Sequence, residues 1–313
     1  MNIVVLDKDT LGEDIELSAL AAVGTVTVYG NTAPEQVKER LQNADVAVLN
    51  KIKLQEKNLA GTKVRLICVA ATGYDNIDTD YCRRADVALC NVPGYSTDSV
   101  AQLTLAMALS LATRLGEYTE YVNDGRYTAS GVANKLTPVF HELAGKTWGV
   151  VGGGGIGRRV ARLAQAFGCK VLMCRRAKET EFETADMDRL CLESDILSLH
   201  CPLTDQTRGM LSAERIAAMK EGAMVINTAR GAVTDEAALA QAVKAGRIAL
   251  GCDVYSTEPF GESHPFYELR GLPQVCLTPH MAWGAFEARM RCMEEIAKNI
   301  VSFYKKEERN RIV

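Results

Sequence analysis

The chain has 313 residues, of which 47% are hydrophobic and 24% are charged, and its formal net charge is -3 at pH 7. These values are typical of a globular protein with one large domain or two medium ones. The net charge provides no overall positive field that would attract a nucleic acid or an anionic membrane. No apolar run reaches the roughly 18 residues of a membrane span and no signal-peptide pattern precedes the first strand, so we expect a cytoplasmic protein without membrane attachment.

The first part of the chain alternates between short apolar runs and polar or helix-periodic stretches. The apolar runs are "NIVVLD", "TVTVYG", "VAVLN", "RLICVA" and "ALCNVP", separated by stretches such as "PEQVKERLQNA". This pattern predicts strands that alternate with helices and therefore a parallel sheet. A long helix is predicted next, from about Thr97 through "SVAQLTLAMALSLATRL" to about Asn123, as a bridge into a second unit.

The second part repeats the alternation. Its predicted strands are "TWGVVG", "KVLMC", "ILSLHC", "AMVINTA", "GCDVY" and "VCLTPH", with helices such as "GRRVARLAQAFG" and "DEAALAQAVKAG" between them. The final helical run, "GAFEARMRCMEEIAKNIVSFYKK", has no strand left to pair with in this unit, so we place it against the first domain. The prediction is an α/β protein with two Rossmann-like, parallel-sheet domains, 1–98 plus 282–313 and 99–281.

Ten cysteines could indicate disulfides or a metal site. They include no C-x-x-C pair and no nearby histidine pair, which are the spacings that metal ligands favour. Most lie inside apolar strand runs, as Cys68 does in "LICVA" and Cys276 does in "VCLTP". We therefore predict buried, reduced thiols and no metal site.

A glycine-rich turn is the most specific local pattern. Gly152, Gly154 and Gly157 fill G-x-G-x-x-G directly after the strand "WGVV" and directly before a helix. Glycine permits the tight turn, the approach of the backbone to a pyrophosphate and close helix packing, while the helix N-terminus faces the phosphates. In this setting the pattern predicts a dinucleotide site rather than a flexible loop.

The end of the following strand carries two arginines, Arg175 and Arg176, where a protein that binds NAD usually carries an acid. A carboxylate there accepts hydrogen bonds from ribose hydroxyls and repels a 2′-phosphate, whereas arginine donates to that phosphate. The pair favours NADP over NAD, with NAD still possible. The alternatives are that both side chains are solvated or that one stacks on the adenine face.

Three later strands each end near a side chain that suits hydride transfer to a 2-oxo acid. Arg230 follows "VINTA", Asp253 and Glu258 follow the next strand, and His280 follows the last. Arginine can hold a carboxylate and polarise a carbonyl, and histidine can supply a proton to the carbonyl oxygen. A carboxylate on the far imidazole nitrogen would fix the tautomer and favour the protonated ring. Taken singly, each residue could be a salt-bridge or capping residue.

With these residues assembled, the sequence resembles the D-isomer-specific 2-hydroxyacid dehydrogenase family over nearly its whole length. The matching stretches are "ATGYDNID", "NVPGYSTDSVAQ", "GGGGIGRRVARLAQAFG", "LSLHCPLTDQTRGML", "INTARGAVTDEAAL", "CDVYSTEP" and "TPHMAW". The resemblance implies an active site in a cleft between two domains, a homodimer held mainly by the cofactor domain, and catalytic roles for Arg230, Glu258 and His280. It also implies that Asp253 lies near the nicotinamide carboxamide and that residues 70–76 present backbone amides to the substrate carboxylate.

The same resemblance supplies the remaining candidates. Those for the cofactor are Thr97, Gly152, Gly154, Gly155, Ile156, Gly157, Arg175, Arg176, Cys201, Pro202, Thr207, Thr228, Ala229 and Asp253. Those for the substrate are Asn50, Lys51, Ala71, Thr72, Gly73, Tyr74 and Trp283.

Within the family, "LNKIKL" around Asn50 and Lys51, with Trp283 after the histidine, is most similar to the glycerate dehydrogenase (hydroxypyruvate reductase) branch. The implied substrate is a small 2-oxo or D-2-hydroxy acid such as hydroxypyruvate or glyoxylate. Two alternatives stay open: a dehydrogenase for bulkier 2-oxo acids, and a dinucleotide-sensing binding protein of the corepressor type.

Overall fold

The computed structural model describes residues 1–175 and 181–313. It divides into two compact units. Unit 1 comprises Met1–Ser96 and Gly284–Val313, and unit 2 comprises Thr97–Trp283. Each junction lies two residues from the boundary predicted from the sequence, 98/99 and 281/282.

Unit 1 is built on a parallel five-stranded sheet in the order β2-β1-β3-β4-β5. Its strands are β1 (Asn2–Val5), β2 (Thr25–Val28), β3 (Val46–Leu49), β4 (Leu66–Val69) and β5 (Ala88–Cys90). Its helices are α1 (Ser18–Ala21), α2 (Val37–Leu41), α3 (Glu56–Leu59), α4 (Thr79–Arg84) and the C-terminal α12 (Phe286–Tyr304), with a 3-10 turn at Lys8–Leu11. The strands β3 and β4 are buried throughout, as unbroken apolar runs predict for strands covered on both faces. Helix α12 packs against β4 and α1.

Unit 2 is built on a second parallel sheet in the order β12-β11-β10-β9-β6-β7-β8. Its strands are β6 (Thr147–Val151), β7 (Lys170–Cys174), β8 (Glu183–Thr184), β9 (Ile196–Leu199), β10 (Ala223–Asn227), β11 (Ile248–Cys252) and β12 (Val275–Leu277). Its helices are α5 (Thr97–Thr113), α6 (Leu115–Asn123), α7 (Arg126–Ser130), α8 (Gly155–Ala166), α9 (Met187–Glu193), α10 (Ala213–Ala218) and α11 (Glu236–Lys244), with 3-10 turns at Gly231–Val233 and Tyr267–Leu269. The prediction of two parallel-sheet α/β domains is confirmed.

The predicted long helix from Thr97 to Asn123 is wrong as a single element. It is two helices, α5 and α6, because Arg114 adopts a left-handed conformation with φ 55° that a right-handed helix cannot continue. The Arg114 guanidinium pairs with Glu117 in the first turn of α6. The helical pattern of apolar residues runs through this position without interruption, so the break could not be predicted from that pattern.

Two further observations concern the described residues. None of their helices is long and apolar enough to cross a membrane. All ten cysteines are free thiols, and eight of them are buried. Burial raises the pKa of the Cys90 thiol to about 11, so this group stays protonated and unreactive near neutral pH.

Candidate active site

The carboxyl ends of three neighbouring strands of unit 2 bring the predicted catalytic residues to one edge of the sheet. Strand β10 ends at Asn227, β11 at Cys252 and β12 at Leu277, and these strands pair in parallel. Arg230, Glu258 and His280 follow them in turn. This edge is where open parallel sheets bind their ligands.

His280 and Glu258 form a direct pair. Nδ1 of His280 lies 2.6 Å from Glu258 Oε2, and both side chains keep partial access to solvent, 23% and 32%. The carboxylate accepts a hydrogen bond, so Nδ1 is the proton-bearing imidazole nitrogen of this pair and Nε2 is the other ring nitrogen. The other oxygen of Glu258 accepts the Tyr255 backbone N–H at 2.9 Å, which fixes the orientation of the carboxylate.

The backbone around His280 is held in an uncommon conformation. His280 has φ 52°, in the left-handed region that is uncommon for residues other than glycine. The indole Nε1 of Trp283 donates to the His280 carbonyl at 2.9 Å. Trp283, predicted to contact substrate, is thus placed beside the histidine that precedes it.

Asp253 lies beneath this segment and is 1% exposed. Its Oδ1 accepts the Thr278 hydroxyl at 2.6 Å and the Met281 N–H at 2.8 Å, and its Oδ2 accepts the Ala282 N–H at 2.9 Å. Burial raises the pKa of the Asp253 carboxyl, while these hydrogen bonds and the nearby charge of His280 oppose that rise. The carboxylate therefore organises the backbone that carries His280.

Arg230 is half-buried and its segment is fixed by Asn227, a fully buried residue that the sequence analysis did not single out. The Asn227 amide donates to the Arg230 carbonyl at 2.9 Å and its oxygen accepts the Ala229 N–H at 3.0 Å. Nη1 of Arg230 donates to the Ala229 carbonyl at 2.8 Å. The visible signal for Asn227 was its place at the end of β10, directly before the arginine.

The glycine-rich turn forms a cradle that side chains would fill. Gly152 has φ 103°, and a Cβ there would come within 2.7 Å of the His200 carbonyl oxygen. A Cβ on Gly157 would lie 1.8 Å from the Gly152 oxygen, so only glycine lets α8 pack on the turn. A Cβ on Gly154 would meet no atom within 4 Å, so the turn leaves open space before the helix N-terminus. Gly155 and Ile156 supply the first helical amides, and the pattern fits a pyrophosphate.

Arg175 lies against this turn. A Cβ built on Gly153 would come within 2.9 Å of Arg175 Cδ and 3.1 Å of its Nε, so the arginine stem covers the Gly153 backbone. Arg175 directly follows β7, whose last carbonyl, that of Cys174, accepts the Gly152 N–H at 2.8 Å. The second arginine of the pair, Arg176, lies outside the described residues.

Other cofactor candidates surround the same edge. Thr97, at the start of α5, would lie 3.4 Å from a Cβ on Gly155. Cys201 and Pro202 follow β9, and the buried Thr207 hydroxyl closes their loop by donating to the Pro202 carbonyl at 2.6 Å. The Thr207 side chain therefore shapes this loop.

Thr228 and Ala229 lie between β10 and Arg230, and Thr228 contacts His200, a polar residue that the sequence analysis missed. The Thr228 hydroxyl lies 3.2 Å from the Thr104 hydroxyl and 3.3 Å from Nδ1 of His200. Nε2 of His200 is buried and has no hydrogen-bond partner among the described residues. Burial lowers the pKa of this histidine to about 3, so the ring is neutral at physiological pH.

The predicted substrate residues of unit 1 follow β3 and β4, which are adjacent parallel strands. Asp7 holds the first group, because its carboxylate accepts the N–H groups of Asn50 at 2.9 Å and Lys51 at 2.7 Å. Residues 71–74 form the second group, after β4, and the Asn91 amide donates to the Thr72 carbonyl at 2.7 Å. The Asn76 amide links the groups by donating to the Asn50 carbonyl at 3.3 Å.

Comparison with known proteins shows what the chain is similar to. A family model described as "D-isomer specific 2-hydroxyacid dehydrogenase, NAD binding domain" matches residues 105–282. The hydroxypyruvate reductase of Blautia hydrogenotrophica is 33% identical over 97% of this chain and 97% of its own.

Two solved structures share the fold over both full lengths or nearly so. D-lactate dehydrogenase of Aquifex aeolicus, complexed with NAD and lactic acid, has a TM-score of 0.84 and 31% identity over 98% of this chain and 96% of its own. An acyclic imino acid reductase in complex with NADPH and D-Arg has a TM-score of 0.89 and 27% identity over 100% of both chains.

Proposed function

The chain belongs to the D-isomer specific 2-hydroxyacid dehydrogenase family and is an NAD(P)-dependent oxidoreductase; we propose that it reduces hydroxypyruvate to a D-2-hydroxy acid and glyoxylate to glycolate. The observation that supports the reaction most directly is the contact of His280 with Glu258 on the sheet edge that also carries Arg230. The named relative supports the substrate, because it is a hydroxypyruvate reductase similar to this chain over nearly all its length.

Each side chain takes one role in this proposal. Arg230 binds the substrate carboxylate and polarises the reacting carbonyl through its planar guanidinium. His280 donates the Nε2 proton to the carbonyl oxygen, and Glu258 orients the ring through Nδ1. The dinucleotide, when bound, supplies the hydride that the carbonyl carbon receives. The carbonyl is thereby reduced to an alcohol, and reversal of the same steps oxidises the hydroxy acid.

For the cofactor we propose a preference for NADP over NAD. The glycine cradle fits a dinucleotide pyrophosphate, and Arg175 lies on Gly153 at the end of β7 with its positive charge available to a 2′-phosphate. No acid occupies residue 175, so the charge repulsion that normally excludes that phosphate is missing at this position. Neighbouring structures solved with NAD and with NADPH show that this fold holds both.

For substrate selection we propose that Lys51 and residues 71–74 of unit 1 favour small polar acids, and that Trp283 of unit 2 does so too. The Asp7 carboxylate and the Asn76 amide fix the loop that carries Lys51, and Trp283 is tied to the His280 carbonyl. Positions held in this way suit a small substrate better than a pocket that must widen for a branched side chain.

We further propose a homodimer in the cytoplasm. A surface formed by exposed apolar residues of 115–140 lies in unit 2, as the association of cofactor domains requires; its members are Leu115, Val122, Tyr127, Val132, Leu136, Val139 and Phe140. Ten free thiols support a reducing compartment.

One experiment tests the function. Initial rates are measured with hydroxypyruvate, glyoxylate, pyruvate, 2-oxoisocaproate and phenylpyruvate, each with NADH and with NADPH. We expect the highest kcat/KM for hydroxypyruvate or glyoxylate with NADPH. A highest value for 2-oxoisocaproate or phenylpyruvate would contradict the substrate proposal, and no turnover with any acid would favour a sensing role.

A further inference from the structure

A polar cluster with two buried members lies next to the proposed catalytic pair and has no part in the roles assigned so far. It consists of Glu236 in the first turn of α11, His264, and Ser256 in the loop after β11. Glu236 and His264 are 8% and 6% exposed at their side chains, and His264 Nε2 lies 3.0 Å from Glu236 Oε2. A carboxylate so deeply buried is stable only where donors surround it.

Three donors meet this carboxylate. Oε1 of Glu236 accepts the Ser256 N–H at 2.9 Å, and Oε2 accepts the Ser256 hydroxyl. The Phe266 N–H donates to Nδ1 of His264 at 3.1 Å, so Nδ1 carries no proton and the ring proton is on Nε2, directed at Glu236. The rings of Phe260 and Phe266 pack on His264 with centroid distances of 5.0 and 5.2 Å.

The peptide that Glu236 holds lies between the two halves of the proposed active site. On one side, the Tyr255 N–H binds Glu258, which contacts His280. On the other, a Cβ on Gly231 would lie 2.1 Å from both the Tyr255 carbonyl carbon and the Ser256 nitrogen, so this peptide packs directly on the residue after Arg230.

We propose that Glu236 is a positioning residue for the reaction, because it fixes the Tyr255–Ser256 peptide. The fixed peptide sets the orientation of Glu258 and, through Glu258, the orientation of the His280 ring. It also sets the distance of this pair from Arg230. The inference rests on the catalytic roles proposed above. The described hydrogen bonds of the Glu236 carboxylate are to Ser256 and His264, so its proposed effect on Glu258 passes through the loop backbone.

Glu236→Gln is the most direct test. The amide has one acceptor in place of two, and in either orientation its NH2 opposes an N–H, that of Ser256 or that of His264. We expect kcat for hydroxypyruvate reduction to fall about tenfold or more, with the dinucleotide KM within about twofold. Carbonyl reduction uses a proton from His280, so kcat/KM should fall as pH rises. We expect this falling limb to move to lower pH in Glu236→Gln, as it should in Glu258→Gln, where the carboxylate that favours the protonated ring is removed. The carboxylates that act on His280 in this reading are Glu258 and Asp253.

Ser256 offers a milder pair of variants should Glu236→Gln fold poorly. Ser256 is exposed, so Ser256→Ala removes the hydroxyl donor with little loss of packing and should produce a smaller shift of the limb. Ser256→Thr retains the hydroxyl and should restore the wild-type profile. Asp195→Asn is the matched control, because Asp195 also accepts a backbone N–H, that of Thr147, but at the amino end of the sheet.

The outcomes separate the two proposals. A limb that shifts in Glu258→Gln but stays in place in both Glu236→Gln and Ser256→Ala overturns the positioning role and leaves the catalytic assignment intact. A Glu258→Gln enzyme with the wild-type profile overturns the catalytic assignment and, with it, this inference. A shift in Asp195→Asn equal to that in Glu236→Gln would mean that any loss of stability moves the limb, which also overturns the positioning role.

Discussion

The two carboxylates nearest His280 lie in opposite environments, and this difference separates what each can do. Asp253 is fully buried and its oxygens are engaged by three donors of the 278–282 segment. Glu258 is partly exposed and gives one oxygen to the imidazole. Asp253 therefore holds the backbone conformation with φ 52° at His280, whereas Glu258 controls the ring itself.

We expect Arg230→Lys to lower the activity strongly, although the substitution keeps the positive charge. Lysine cannot offer the planar fork that holds a carboxylate and polarises a carbonyl together. Since a charge-assisted hydrogen bond contributes about 1.5 to 3 kcal/mol, we expect kcat/KM for hydroxypyruvate to fall roughly tenfold to a hundredfold. Arg247→Lys is the control, because Arg247 precedes β11 at the opposite edge of the sheet. A loss of less than about threefold in Arg230→Lys would remove the bidentate contact from the mechanism.

Arg175→Asp should reverse the cofactor preference. A 2′-phosphate carries about -1.5 to -2 charge near pH 7, so the arginine attracts it and an aspartate repels it. We expect wild type to have the higher kcat/KM with NADPH and Arg175→Asp the higher kcat/KM with NADH, mainly through cofactor KM. Arg162→Asp makes the same change of charge on α8, where Arg162 pairs with Glu181, and should leave the preference unchanged. If wild type has the higher kcat/KM with NADH and Arg175→Asp leaves that preference unchanged, Arg175 does not contact the ribose phosphate.

His200 should make the fold sensitive to acid. Its folded-state pKa of about 3 lies below the unfolded value of 6.5, so the neutral ring contributes stability that is present above pH 6.5 and lost as pH falls toward 3. His200→Asn keeps a polar atom for Thr228 and removes the titration. We expect the free energy of unfolding of wild type to fall relative to this variant by up to about 1.4 kcal/mol per pH unit within that window. His141→Asn, at an exposed histidine, provides the comparison; parallel curves for wild type and His200→Asn would mean that the ring takes up a proton in the folded state.

The arrangement of strands and helices determines which parts of the site could be predicted from the sequence. Strand ends of a parallel sheet meet at one edge, so Arg230, Glu258 and His280 could be grouped from the order of their strands alone. Glu236 could not be assigned, because an acid in the first turn of a helix is common for reasons of helix electrostatics and its partner Ser256 is 20 residues away. The break at Arg114 was also missed, since a single left-handed residue leaves the apolar period of the flanking helices intact.

Two alanine substitutions in the turn before α8 should distinguish an effect on folding stability from an effect on dinucleotide binding. Gly157→Ala places a Cβ 1.8 Å from the Gly152 oxygen, so we expect a loss of about 1 to 3 kcal/mol in the free energy of unfolding. Gly154→Ala meets nothing within 4 Å and should change stability by no more than about 0.5 kcal/mol. The same methyl group should raise the dinucleotide Kd at least tenfold, because it fills the space that the pyrophosphate needs. Unchanged binding in Gly154→Ala would place the pyrophosphate elsewhere.

At the scale of the whole molecule, charge and apolar surface point to self-association. A net charge of -3 on 313 residues is a weak barrier to contact between copies. In the 115–140 surface, Leu136 is 72% exposed and Val139 is 67% exposed. Single exposed apolar residues are normal, whereas a group of them in one surface indicates contact with another molecule. A symmetric dimer would cover this surface on both copies at once.

Charge placed in that surface should therefore separate the copies. We expect sedimentation equilibrium to give wild type a mass twice the 34.1 kDa of one chain, and the double variant Leu136→Asp/Val139→Asp the mass of one. Burying a carboxylate without a partner costs several kcal/mol of binding free energy. The double variant would place two such carboxylates on each copy, four in one twofold interface, so association should weaken by many orders of magnitude. Val28→Asp is the control, because Val28 is 47% exposed on the edge strand β2 of unit 1 and should leave the dimer intact. Unchanged circular dichroism in both variants would show that only association was altered, and a double variant that remains dimeric would place the interface on another surface.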